Sequence, residues 1–141
     1  MIPPLAWPTK ADDLGQLTRL FRDLPMVGAD SRAHRAIAKQ LRARHIQCLD
    51  NWGAQVAIYQ VLCVVSPVVK EYGEWPNTLF LPDDPCDILF WDPSMELKTV
   101  EAMNVLERDL SIPADIFDDL IQIKYGELIS RITHHVAEQR R

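Results

Sequence analysis

Apolar residues recur at helical spacing along most of the chain. From Asp12 or Asp13 onward, Leu14, Leu17, Leu20, Phe21 and Leu24 share one helical face. The leading carboxylates suit a helix N-terminus, where aligned peptide dipoles favour negative charge. Pro25 and Gly28 close that helix. Asp30 or Ser31, whose side chains accept bonds from free backbone amides, opens a second helix running to about Leu49, with Ala33, Ile37, Leu41 and Leu49 on its apolar side. Ahead of this pair, residues 1–11 carry Pro3, Pro4 and Pro8 and read as an extended arm with Trp7 as its anchor on the body.

The stretch from Gly53 to Tyr72 is apolar on all sides, which predicts a central buried helix, kinked or broken near Pro67. Its β-branched residues, among them Val61, Val64, Val65, Val68 and Val69, leave a strand as the competing reading, and periodicity does not decide between them. A Pro-rich loop follows from Gly73 to Asp87, then an apolar plug, Ile88 to Trp91. In this region Trp75, Phe80, Phe90 and Trp91 are expected to pin the loop to the core.

Asp92-Pro93 combines a capping carboxylate with a proline at the first helical position and predicts a helix to about Asp109, with Met95, Ala102, Met103, Leu106 and Leu110 on one side. Pro113 opens a short helix. After Lys124 a last helix places Tyr125, Leu128, Ile129, Ile132 and Val136 on one face, and the tail 137–141 should fray. The pattern as a whole predicts an all-α fold, a small helical bundle forming a single domain over 1–141, in which residues 12–50 are an N-terminal helical pair.

Composition agrees. With 141 residues, 48% hydrophobic and 25% charged, the chain is long enough to bury a core without disulfides or a structural metal. Cys48, Cys63 and Cys86 are an odd number without CxxC spacing, as in a reduced cytoplasmic protein. The start, MIPPLAWPTKADD, lacks the basic and apolar regions of a secretory signal. The longest apolar run is interrupted by Gln60 and Ser66-Pro67, too short for a membrane span.

Charge is divided unevenly. Residues 1–50 carry eight Lys/Arg against five Asp, so the net −5 of the chain leaves −8 for the remainder. Arg32, Arg35, Lys39 and Arg42 make one basic stripe on the second helix, available to phosphates, to an acidic partner or to the chain's own acidic half. Nucleic acid is disfavoured by the overall charge and by the absence of interleaved aromatic residues. The acidic side comprises Asp83, Asp84, Asp87, Asp92, Glu96, Glu101, Glu107 and Asp109.

Catalytic and metal chemistry finds little footing. Asp83, Asp84 and Asp87 lack calcium-loop spacing and have Pro85 between them. His45 with Cys48, and the adjacent His134 and His135, do not make a zinc pattern. The glycines fall at 15, 28, 53, 73 and 126, with no phosphate-cradling run, and no nucleophile has a base nearby in sequence. No metal and no enzymatic activity are expected.

The segment Val100–Glu107 (VEAMNVLE), continued by RDLSIPADIF and by Tyr125–Ile129 (YGELI), resembles acyl carrier proteins over about residues 53–136. Phe80–Asp84 and Leu89 look like the long loop of that family. The resemblance implies a carrier-like helical bundle with the N-terminal pair as an addition. Its cofactor, phosphopantetheine, would sit on a Ser at the start of the second carrier helix. Aligned without gaps from Val100-Glu101, that place holds Glu96; allowing one inserted Pro in Asp92–Leu97 makes Ser94 the candidate. A first-turn Ser suits a phosphate because backbone amides and the helix dipole favour an anion there.

These readings converge on a non-catalytic interaction or regulatory module without a cofactor. It would dock a protein partner through Asp83, Asp84, Asp87, Glu96, Glu101 and Glu107, and the added basic helix would either dimerise or cover the bundle. The alternatives are a working carrier with phosphopantetheine on Ser94, and a small regulator using the Arg32–Arg44 face on nucleic acid.

Overall fold

The computed structural model describes residues 2–8, 27–91 and 98–140. The helix expected over 12–24 and the Asp92-Pro93 start, with Ser94, Met95 and Glu96, lie outside the described residues. Those described form an all-α bundle: α1 (Val27–Arg42), α2 (Val56–Gly73), α3 (Cys86–Leu89), α4 (Lys98–Leu110) and α5 (Tyr125–Gln139), with 3-10 turns at Ile46–Trp52, Ala114–Phe117 and Leu120–Gln122. They contain no strand, only an isolated bridge between Pro85 and Lys124. None of their helices is long and apolar enough to cross a membrane.

Helix α1 is already helical at Val27, ahead of the Asp30 or Ser31 expected from capping, and stops at Arg42 rather than continuing to Leu49. At the stop the Leu41 carbonyl takes two donors, the local Arg44 N–H and the Asn77 side-chain amide, both at 3.1 Å. Beyond it the chain turns through an extended His45 into the 3-10 turn. Ala33, Ile37, Ala38 and Leu41 are buried, so α1 covers the bundle with its apolar face.

Residues 56–73 are helical, which settles the strand alternative, and the helix runs unbroken through Pro67. It is not buried all round: Val56 is 69% exposed, and Gln60, Cys63 and Pro67 continue the same exposed stripe. Pro67 therefore sits on the solvent side, where water can solvate the Cys63 carbonyl that has lost its helical donor. Val61, Val65 and Val69 face inward, and α2 packs against α4 and α5. Its end is closed by Glu74 in the left-handed region (φ 57°, ψ 39°). Glu74 N–H bonds the Glu71 carbonyl at 3.3 Å and Trp75 N–H that of Lys70 at 3.0 Å, a Schellman pair. Gly73, the last residue of the helix, is required by packing, since a Cβ there would stand 2.3 Å from the Trp75 indole.

The loop that follows α2 caps α5. Tyr125 N–H and Gly126 N–H, two amides without intrahelical partners, donate to the Asp84 and Pro82 carbonyls, both at 2.8 Å. This approach requires glycine at 126, where a Cβ would lie 2.8 Å from Pro82 Cβ. Trp75, Phe80 and Phe90 are buried along the loop, pinning it as expected. At the centre Tyr125, fully buried, meets Trp52 and Phe80 edge to face, each with ring centroids 5.6 Å away. Helix α5 continues through Gln139, past the point where the tail was expected to fray, held by Gln139 Nε2 donating to the Ser111 carbonyl at 2.6 Å.

Leu106 and Leu128 are both 0% exposed, on the faces that helical phase assigns to the core. Replacing either with alanine is expected to destabilise the protein by about 2–5 kcal/mol in chemical denaturation. A loss below about 0.5 kcal/mol at both positions, the size of an ordinary surface change, would contradict those phases.

Candidate functional site

The acidic loop separates into different environments. Asp83 is exposed and pairs at 3.5 Å with Lys124. Asp84, one residue on, is fully buried and does not belong to a docking face; this corrects the sequence expectation. Its carboxylate takes the Arg44 guanidinium in a two-pronged pair, Nη1 to Oδ2 at 2.6 Å and Nη2 to Oδ1 at 2.7 Å. It also accepts Leu5 N–H at 2.9 Å and Leu81 N–H at 2.7 Å. Arg44 donates further to the carbonyls of Leu79 and Pro3, at 2.9 and 3.1 Å. Burial here is tolerable because each charge is met by several partners.

The arm is tied down by the same group of side chains. Gln40 exchanges two hydrogen bonds with the Ala6 backbone, at 3.0 and 2.9 Å. Trp7 donates its indole N–H to Asp87 Oδ2 at 3.2 Å and meets Trp91 edge to face at 5.0 Å. Asp87 is therefore half-buried and engaged internally. Neither Arg44 nor Asp84 stands out in the sequence: Arg44 looks like the end of the basic face, and Asp84 like a turn former.

Of the remaining docking residues, Glu101 is exposed and Glu107 half-buried on α4, and Glu96 lies outside the described residues. Asp109, Asp115 and Asp118 extend this acidic side as exposed residues. The two cations of the same stretch are both paired, Lys98 with Glu74 and Arg108 with Asp109, each at 3.1 Å. Asp119 is held by Arg131, whose hydrogen bonds at 2.6 and 3.1 Å keep its carboxyl below the ordinary carboxylate range. On the opposite charge, Arg32, Arg35, Lys39 and Arg42 are exposed on α1, as their spacing requires. Arg44 departs from that face and turns inward, a correction to the Arg32–Arg44 reading. Beside the stripe, His34 stacks on Trp75 at 4.5 Å and its Nε2 lies 2.8 Å from the Gly73 carbonyl oxygen, a contact that sequence reasoning missed.

Cys48 and Cys86 are buried, and burial raises both thiols, Cys86 to about 12. Both remain protonated at neutral pH and are poor nucleophiles. His45 is exposed while Cys48 points into the core, so that pair does not converge. Among the described residues no three of His, Cys, Asp or Glu are placed to hold a metal ion.

Two surface concavities flank Trp52. One, of about 410 Å³, lies between the Asp83–Lys124 pair and the start of α5. The other, of about 280 Å³, lies between α2 and the Thr78–Phe80 segment and is lined by apolar and neutral polar side chains. Set against family models, curated proteins and solved structures, the chain matches none of them.

Proposed function

We propose that the protein is a non-catalytic interaction module with a carrier-like bundle, which docks a basic protein partner through the carboxylates of α4 and the turns after it. The observation that carries this reading is the acidic stretch 98–118, where Glu101, Asp115 and Asp118 are exposed and both cations are already paired. Such a surface attracts a positive partner over a Debye length and orients it, which raises the association rate more than the affinity. The order of a long helix, long loop, second helix, short turns and last helix supports the carrier-like reading of residues 53–136. Three free cysteines, two of them buried, support a reducing, cytoplasmic setting.

The test is association kinetics between the full chain and a partner it captures, with Glu101→Lys and Glu107→Lys combined. The reversal is expected to slow association roughly tenfold and to weaken its salt dependence, while the thermal transition moves little. An unchanged association rate overturns this surface. Coexpression with a broad-specificity phosphopantetheinyl transferase tests the carrier alternative: a phosphopantetheine mass gain that disappears in Ser94→Ala would replace the cofactor-free reading with a working carrier.

A further inference from the structure

The groove between α2 and the Thr78–Phe80 segment is lined by Ser66, whose hydroxyl pairs with that of Tyr125. Ser66 Oγ and Tyr125 Oη lie 2.8 Å apart and share one hydrogen bond, although each hydroxyl carries a proton to donate. Tyr125 is 0% exposed and does not line the groove, so its proton has only Ser66 to meet. Leaving that proton without an acceptor would carry the penalty of an unmade buried bond; Tyr125 therefore donates and Ser66 accepts. Burial also holds the Tyr125 phenol far above its ordinary range, which keeps the proton in place. The Ser66 hydroxyl proton is then left facing the groove that Ser66 lines, on a residue only 6% exposed.

The walls state what else an occupant needs. Trp52, Tyr59 and Phe80 supply aromatic surface, Leu49 and Leu62 aliphatic surface, and none of the lining residues is charged. Two of the other donors are engaged, Trp52 Nε1 with the Phe80 carbonyl at 2.8 Å and Tyr59 Oη with that of Gly53 at 2.6 Å, and the Thr78 hydroxyl is the other neutral donor of the lining. An apolar cavity of roughly 150 Å³ accepts benzene, and this groove offers about 280 Å³. We propose that the groove is a binding site for a neutral aromatic molecule of one or two rings bearing a hydrogen-bond acceptor, which receives the Ser66 hydroxyl.

Cys63, exposed and lining the same groove, provides a local reporter, since Cys48 and Cys86 are buried. The experiment follows alkylation of Cys63 in the full chain by iodoacetamide, using intact mass, with acetophenone or ethylbenzene as the added probe and glutathione as the thiol control. Acetophenone, which has the carbonyl, is expected to slow Cys63 alkylation several-fold and saturably, without affecting glutathione. Ethylbenzene, of similar shape and without an acceptor, should bind roughly 5- to 10-fold more weakly, the difference one neutral hydrogen bond makes. In Ser66→Ala the two probes should become equivalent. Alkylation unchanged by either probe would overturn the site, and equal protection by both in the unaltered protein would overturn the role of Ser66. The comparison of probes on the unaltered chain stands even if Ser66→Ala fails to fold.

Discussion

Arg44→Met is expected to destabilise the protein by about 3–5 kcal/mol, because it leaves the Asp84 carboxylate charged, fully buried and without its counter-ion. The methionine fills part of the space, so the loss reads the charge more than a cavity. Adding Asp84→Leu should recover much of it, since removing both charges is far less costly than removing one. Recovery would be incomplete, because Leu5 N–H and Leu81 N–H lose the carboxylate they donate to. The double-mutant cycle in urea denaturation decides this. A single-variant loss below about 1 kcal/mol, the range of an exposed pair, would mean that water reaches the site.

Phe80→Ala should cost a similar amount, about 3–5 kcal/mol, for a different reason. The ring is 1% exposed and stands edge-on to the fully buried Tyr125, so its removal opens a cavity beside that ring. The Trp52 bond to the Phe80 carbonyl is made to the backbone and would survive. Asp83→Ala, three residues on in the same loop, supplies the contrast. Its pair with Lys124 is exposed at both ends, and thermal unfolding should register a change within about 0.5 kcal/mol.

Helical phase made the inward faces of α4 and α5 legible, because burial of Leu106, Leu128, Ile129 and Ile132 follows from a 3.6-residue period alone. The same rule found Ile37 and Leu41. It failed where a distant residue decides the outcome. No residue type near Arg42 signals the end of α1, where the Leu41 carbonyl takes a second donor from Asn77, 36 positions on. Valines in α2 carry a β preference that packing overrides, and the helical period shows in the exposed positions 56, 60, 63 and 67 against the inward Val61, Val65 and Val69. For the candidate surface the limit is sharper. Asp83 and Asp84 are indistinguishable in sequence, and only the fold separates the one that faces water from the one that closes on Arg44. The Ser66–Tyr125 pairing, 59 positions apart, had no sequence signal at all.

The clasp on the arm bears on the order in which the chain can fold as it is made. Leu5 and Trp7 bond to Asp84 and Asp87, 79 and 80 positions later. At about 5–20 residues per second, ribosomal synthesis places roughly 4–16 s between the emergence of the arm and that of its receptors. Through that interval the Trp7 ring and the Leu5 side chain have no native partner among those receptors, and the arm is open to capture by other chains or chaperones. Long-range closure of this kind also slows folding in general, since loop entropy is lost before the contacts reward it. Seating of the arm is thus expected to be a late event, following consolidation of the aromatic centre around Tyr125.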